Sequence, residues 1–270
     1  MTAASLQLLA RVVDIARQAA REILEVYAGA ELAAQSKSDA SPLTAADVRA
    51  HRLIVEALGE LTPEAPVLSE ESVHTPFAQR SHWRRYWLVD PLDGTREFLS
   101  RNGEFTVNIA LIEGHAPALG VVHVPVTDTS YRGLPGTGAW RQKGGGAAEP
   151  IHVAARAGSP LRVAGSRSHR GDTLDEFLAR VGPHRLLSLG SSLKFCLVAE
   201  GGADVYPRLS PTREWDTAAA HAIVTAAGGV VCRLDGGPLE YNTREELLNP
   251  SFVAYGPGDR DWLSLLRPIQ

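Results

Sequence analysis

The order in which hydrophobic periodicities succeed one another is the strongest constraint on the fold of this chain. From Leu6 to Tyr27 apolar side chains recur at Leu6, Leu9, Val13, Ala16, Ala20, Ile23, Leu24 and Tyr27, the spacing of an amphipathic helix that Gly29 ends. A second helix is predicted from Thr44 to Leu61, with Val48, Leu53, Ile54, Ala57, Leu58 and Leu61 facing the core and Pro63 stopping it. The period then changes. Tyr86–Val89, Phe105–Ile112, Leu119–Val124, Ser130–Arg132 and Gly138–Arg141 are short β-type runs punctuated by Gly, Pro and Asp. Beyond Leu161 strands and helices alternate: Leu161–Gly165, a helix around Thr173–Val181, Arg185–Leu189, a helix from Ser191 to Glu200, Ala203–Tyr206, a helix from Asp216 to Ala227, and Val230–Leu234. Helices followed by a run of strands read as α+β, and the alternating second half reads as an α/β layer. The stretch from Lys143 to Pro160, loose in composition and holding consecutive glycines, is the best crossing between them, which places domains at 1–155 and 156–270.

Composition narrows the classes of function. A chain of 270 residues with 44% hydrophobic and 21% charged residues is neither disordered, collagenous nor a coiled coil. Lys+Arg 27 against Asp+Glu 31 leaves a net charge of −4, which gives no general field for nucleic acid, so a phosphorylated ligand must be met by local charge. Cys196 and Cys232 lie in apolar runs without zinc-type spacing and read as core residues of a protein in a reduced cytoplasm. Charged residues Arg11, Asp14, Arg17 and Arg21 interrupt the N-terminal apolar pattern, unlike a signal peptide, and no stretch reaches the roughly 18 apolar residues of a membrane span. The expectation is a cytoplasmic protein with no integral membrane segment; peripheral attachment at the inner face of the membrane stays open.

The most informative segment is Trp87-Leu88-Val89-Asp90-Pro91-Leu92-Asp93-Gly94-Thr95. An apolar strand runs into two aspartates, with proline and glycine turning the chain between and after them. Such a turn can aim both carboxylates and the Leu92 carbonyl at one point, the oxygen-only set that Mg²⁺ favours. The same residues are also common in turns for purely conformational reasons. Glu70-Glu71 likewise follows the apolar run Val67-Leu68, Asp216 opens a predicted helix where an aspartate cap is ordinary, and Asp47 stands at the third position after the cap in Thr44-Ala45-Ala46-Asp47, a capping-box position.

Taken together, Glu70-Glu71, Asp90-Pro91-Leu92-Asp93-Gly94-Thr95 and Trp215-Asp216-Thr217-Ala218-Ala219 resemble, in order and separation, the signatures of the lithium-sensitive, magnesium-dependent phosphomonoesterases. That superfamily includes the inositol monophosphatases, fructose-1,6-bisphosphatases and bisphosphate nucleotidases. The resemblance implies a layered α-β-α-β-α sandwich, with frequent homodimers. It also implies two or three Mg²⁺ ions on Glu70, Asp90, Asp93, Asp216 and the Leu92 carbonyl. Glu70 and Thr95 would orient the attacking water, with Asp47 paired to the threonine, as the catalytic set. Glu71 is a lesser candidate for outer support. Asp93, Gly94, Thr95 and Asp216 would also meet the substrate.

Asp93-Gly94-Thr95-Arg96-Glu97-Phe98, Arg101–Ala110, Ser166-Arg167-Ser168-His169 and Gly190-Ser191-Ser192-Leu193-Lys194-Phe195-Cys196 look like the bacterial CysQ-type 3'(2'),5'-bisphosphate nucleotidases. Those enzymes remove the 3'-phosphate of 3'-phosphoadenosine 5'-phosphate, leaving AMP, in sulfur assimilation. The resemblance assigns nucleotide contacts to Ser166, Ser168, His169, Ser191 and Lys194. Arg167, Arg170, Arg208 and Arg213 are further cations available to a second phosphate. Inositol monophosphatases carry a glutamate where this chain has Leu209, yet an inositol or other sugar monophosphatase on the same scaffold is the alternative. A catalytically silent phosphometabolite sensor is a third reading, disfavoured by the complete set of acids.

Overall fold

The computed structural model describes residues 4–29, 34–36, 42–72, 75–167, 172–258 and 260–266. In chain order the elements are α1 (Leu6–Tyr27), β1 (Ala34–Ser36), β2 (Pro42–Thr44), α2 (Ala45–Leu61), β3 (Val67–Ser69), α3 (Phe77–Arg80), β4 (Arg85–Asp93), α4 (Thr95–Leu99), β5 (Thr106–Glu113), β6 (Ala116–Val124), β7 (Thr129–Leu134), β8 (Gly138–Lys143) and β9 (Glu149–Ile151). There follow β10 (Leu161–Ser166), α5 (Asp172–Val181), β11 (His184–Leu189), α6 (Leu193–Ala199), β12 (Val205–Arg208), β13 (Thr212–Arg213), α7 (Ala218–Ala226), β14 (Val230–Arg233), β15 (Leu248–Asn249), β16 (Phe252–Tyr255) and α8 (Trp262–Leu266). Single 3-10 turns cover Glu70–Ser72, Pro125–Thr127 and Glu214–Asp216.

Two sheets organise the chain. The larger has seven strands in sequence order from β3 to β9, parallel at β3–β4 and antiparallel thereafter; the smaller has five in the order β11-β10-β12-β16-β14. Period-two alternation decides what each face meets. Trp87, Val89, Val107, Ile109, Leu111 and Val121 pack with Leu9, Val12, Val13 and Ala16 of α1 and Ala50, Ile54 and Leu58 of α2. Their neighbours Tyr86, Leu88, Ala110, Ile112 and Val122 face Phe195 and Val198 of α6 and Ala219, Ala220 and Ile223 of α7. The same helices meet Ala164, Tyr206, Phe252 and Ala254 on the smaller sheet. The opposite face of that sheet, Leu161, Val163, Val205 and Val253, is covered by Phe177 and Leu178 of α5 and Trp262 and Leu266 of α8. The succession is the α-β-α-β-α sandwich that the resemblance implies.

Close approach of α7 to the larger sheet depends on two glycines. A Cβ on Gly120 would lie 2.1 Å from the Ala219 carbonyl oxygen, and one on Gly133 would lie 2.6 Å from the Ile223 Cα. The capping box predicted at Thr44 with Asp47 is present, and Ser5 caps α1 by accepting the Leu8 N–H.

The structure departs from the sequence reading at several ends. The strand predicted to stop at Val89 continues to Asp93 because a register shift against β5 absorbs the proline. The helix predicted from Ser191 starts at Leu193, since Ser191 has φ +41°. The helix predicted from Asp216 is a 3-10 turn followed by α7, and β16 had no sequence prediction at all. Residue 155 falls between β9 of the larger sheet and β10 of the smaller. Cys196 and Cys232 are buried free thiols. Among the described residues no helix is long and apolar enough to cross a membrane.

Candidate active site

The acidic segment is built by a bulge. Asp90 of β4 faces Asn108 of β5, whereas Asp93 faces Thr106, so one more residue lies between the aspartates than between their partners. Asp90 is buried, and its Oδ1 accepts the Leu92 N–H at 3.0 Å, which fixes the turn of the bulge. Gly94 then takes φ +94° to lead into α4 at Thr95; a Cβ there would meet Ser191 Cβ at 3.3 Å and the Glu104 carbonyl oxygen at 3.2 Å. Because β3 runs parallel to β4 with Ser69 opposite Val89, Glu70 and Glu71 emerge in the next turn beside Asp90. Asp47 is buried at the start of α2, its Oδ2 accepting the Thr44 N–H at 2.8 Å and the Thr44 hydroxyl at 2.5 Å.

Asp93 and Asp216 come from opposite halves of the chain and are joined by two side chains. Asp93 Oδ2 accepts from Asn108 Nδ2 at 3.2 Å and from Ser192 Oγ at 3.1 Å, and Ser192 Oγ also lies 2.8 Å from the Asp216 carbonyl oxygen. Asn108 is oriented by the Thr106 hydroxyl, which donates to its Oδ1 at 2.9 Å. Asp216 Oδ2 accepts the Arg213 N–H at 2.9 Å. Burial pushes the Asp93 carboxyl up, opposed by the Lys194 charge and by the hydrogen bonds from Asn108 and Ser192. Burial raises Asp216 further, aided by repulsion from Asp93 and Glu70. Among the described residues no three His, Cys, Asp or Glu side chains converge on one point as a closed metal cage. The donors are nonetheless all oxygen, and Asp93 and Asp216 are half-buried carboxylates that repel one another, a set whose chemistry fits a hard divalent cation.

The segments assigned to the nucleotide lie alongside. Ser166 ends β10, and Ser168 and His169, like Arg170, fall outside the described residues. Ser191 holds a left-handed backbone, and its Oγ is buried without a hydrogen-bond partner. Lys194 is 5% exposed, donates to the Leu189 and Ser191 carbonyls and lies over the Tyr206 ring. Burial lowers its pKa to about 8 against the pull of Asp93.

Three of the arginines expected to serve a second phosphate are otherwise engaged. Arg208 donates to the Ser210 and Pro211 carbonyls, Arg213 lies over the Trp215 ring, and Arg167 forms a bidentate pair with Glu104. A sequence lists cations without showing which already have partners. Leu209 packs on the core beneath α5 and α8. The residues that sequence reasoning missed are Asn108, Ser192 and Glu104. All three stand inside motifs quoted for the resemblance, but nothing in their spacing told which acid or base they would meet.

Known proteins resemble this chain in sequence and in fold. The signature of the inositol monophosphatase family matches residues 5–258. The 3'(2'),5'-bisphosphate nucleotidase CysQ of Salmonella typhimurium is 52% identical over 91% of this chain and 98% of its own. The enzyme of that name from Escherichia coli K12 is 51% identical over the same shares. Among solved structures, CysQ from Bacteroides thetaiotaomicron superposes with a TM-score of 0.80 at 42% identity, covering 92% of this chain and 96% of that one. A Thermotoga maritima inositol monophosphatase shares the fold with a TM-score of 0.79 at 24% identity, covering 98% of each chain. With its sandwich, its bulged acidic strand and a match over nearly its whole length, the chain belongs to the inositol monophosphatase family.

Proposed function

We propose that this protein is a Mg²⁺-dependent 3'(2'),5'-bisphosphate nucleotidase that removes the 3'-phosphate of 3'-phosphoadenosine 5'-phosphate, leaving AMP and phosphate. The observation that carries the reading is the half-buried, mutually repelling pair Asp93 and Asp216 with the buried cation Lys194 against it. This occurs in a chain about half identical, over 91% of its length, to proteins named as 3'(2'),5'-bisphosphate nucleotidases. Glu70, Asp90, Asp93, Asp216 and the Leu92 carbonyl would hold Mg²⁺ in two or three sites. When bound, Mg²⁺ supplies Lewis acidity that lowers the pKa of water and neutralises charge on the phosphate oxygens.

The chain's own residues do the rest. Asn108 and Ser192 fix the Asp93 carboxylate, and Ser192 ties it to the backbone of Asp216. Glu70 and Thr95 would orient the water for in-line attack, with Asp47 the further acid of the catalytic set. Gly94, by its left-handed backbone, turns the chain from Asp93 into α4 at Thr95. Ser166, Ser191 and Lys194 receive the remainder of the nucleotide, the Ser191 hydroxyl being a buried group in want of a partner. A place in sulfur assimilation, lithium sensitivity, a cytoplasmic location and homodimer formation belong to the same reading.

The test is phosphate release from 3'-phosphoadenosine 5'-phosphate and from inositol 1-phosphate, side by side, with Mg²⁺ and with EDTA. Mg²⁺-dependent preference for the nucleotide is the expected result. Preference for inositol 1-phosphate would keep the fold and overturn the substrate.

A further inference from the structure

Glu104 lies in the loop between α4 and β5 and belongs to neither the acidic segment nor the nucleotide contacts. Its carboxylate is fully engaged across the two halves of the chain. Oε1 accepts from Arg167 Nη2 at 2.7 Å, and Oε2 accepts from Arg167 Nε at 2.9 Å and from the Gly190 N–H at 2.7 Å. Arg167 Nη2 also donates to the Ser188 carbonyl at 2.9 Å, and the Arg167 N–H donates to the Leu189 carbonyl at 3.1 Å. One carboxylate therefore grips the ends of β10 and β11 at once, immediately after Ser166 and immediately before Ser191. Partial burial pushes the Glu104 carboxyl up, but the Arg167 and Gly190 hydrogen bonds outweigh it and hold the group below the ordinary glutamate range.

The backbone of Glu104 is wedged just as closely. A Cβ on Gly190 would lie 2.7 Å from the Glu104 carbonyl oxygen and 2.6 Å from Glu97 Cγ, and the same carbonyl stands 3.2 Å from a Cβ on Gly94. Glu104 thus touches the turn that follows Asp93 and, with its side chain, the turn that precedes Ser191. Glu97 also stands beside both turns, 3.3 Å from a Cβ on Gly94 and 2.6 Å from one on Gly190.

Resting on the nucleotidase reading, we propose that Glu104 is a positioning residue for substrate choice. Through Arg167 and the Gly190 N–H it sets the distance between the acidic segment and the segment carrying Ser166, Ser191 and Lys194. A substrate with two phosphates must satisfy both segments together, so its binding depends on that distance. Inorganic phosphate, which needs only the acidic segment, does not. Arg167 is on this view an anchor for the loop rather than a ligand of the second phosphate. Asp93 and Asp216 keep their places without Glu104, because Asn108, Ser192 and the packing of α7 hold them.

The experiment uses the full chain with Glu104→Gln, Arg167→Gln and the double variant. KM and kcat for 3'-phosphoadenosine 5'-phosphate, the competitive Ki of inorganic phosphate, and the Mg²⁺ midpoint for thermal stabilisation without substrate are measured. Glu104→Gln is expected to raise KM roughly tenfold, the order of one misplaced charge-assisted contact. The phosphate Ki and the Mg²⁺ midpoint are expected to stay within about twofold. Arg167→Gln should raise KM as much, and the double variant no more than either single, because the three groups act as one unit. A lower KM in Glu104→Gln would mean that freed Arg167 binds phosphate itself, and would overturn the proposal. Equal losses in KM, phosphate Ki and Mg²⁺ midpoint, or a fall in melting temperature with KM unchanged, would make Glu104 a merely structural link and overturn it too. Wild-type protein that does not turn over the bisphosphate would instead defeat the nucleotidase reading on which the proposal rests.

Discussion

Replacing Gly120 by alanine adds one methyl group where the structure has no room for it. The new Cβ would stand 2.1 Å from the Ala219 carbonyl oxygen, 2.8 Å from Ala222 Cβ and 2.9 Å from the Ala219 carbonyl carbon. An ordinary carbon–oxygen contact needs about 3.3 Å, so α7 or β6 must retreat by roughly 1 Å. The obstacles are mainly backbone, which cannot rotate aside, and this places the cost at the upper end of the overpacking range, about 2–3 kcal/mol. In a chain of 270 residues each kcal/mol is worth about 2 °C, so the melting temperature should fall by roughly 4–6 °C. The displaced helix begins two residues after Asp216, and a shift of that size between reacting groups can lower kcat by about 10²-fold. Scanning calorimetry without substrate and steady-state phosphate release read the two effects separately. Gly59→Ala is the control: Gly59 lies within α2 with nothing within 4 Å of its added Cβ, so the change should stabilise by about 0.5–1 kcal/mol and leave kcat alone. If Gly120→Ala melts within a degree of wild type and keeps its kcat, the close seating of α7 on the sheet is refuted.

Asp93→Asn should lower kcat by on the order of 10³-fold without lowering the melting temperature of the metal-free protein, since it removes a half-buried, repelled charge rather than packing; near-normal turnover would defeat its place among the metal ligands. Lys194→Ala should raise KM for the bisphosphate more than it raises the Ki of inorganic phosphate, and equal changes would show that Lys194 does not read the second phosphate. His123 and His221 are held by burial at pKa values of about 4. Unfolded histidine titrates near 6.5, so between the two values the unfolded chain binds the extra protons and stability falls with pH. The loss should begin below about pH 6.5, grow to about 3 kcal/mol for each ring near pH 4, and disappear from the acid limb of a pH–stability curve in His221→Gln to the extent of one ring.

Much of this was legible in the sequence because local chemistry governed it. The α1 and α2 stripes, the capping box at Thr44 and the acids with their Pro and Gly punctuation are all decided within a few residues. What escaped is decided at a distance. Strand β16 is the short apolar run Phe252–Tyr255, whose pattern does not separate strand from helix; it becomes a strand because β12 and β14 flank it. The late start of α6 follows from the backbone of Ser191, packed against Gly94 from the other half of the chain. Asn108 and Ser192 read as an ordinary strand residue and an ordinary turn serine until the fold brings them within 3.0 Å of each other. The arginines of the second half show the same limit, since charge is written in the sequence and pairing is not.

The α6 and α7 layer lies between two sheets, and α7 offers almost nothing polar beyond His221 and Thr225. A helix on the outside of a protein can lift away while the sheet beneath it stays folded, but one enclosed from both sides has no such partial exit. To loosen α7 the two sheets must part, which exposes the largest contiguous core in the molecule. Its amides should therefore exchange with solvent only through global unfolding, whereas the ends of α1 and α8 can fray on their own. Asp216, immediately upstream, accordingly stands on the part of the chain that opens last.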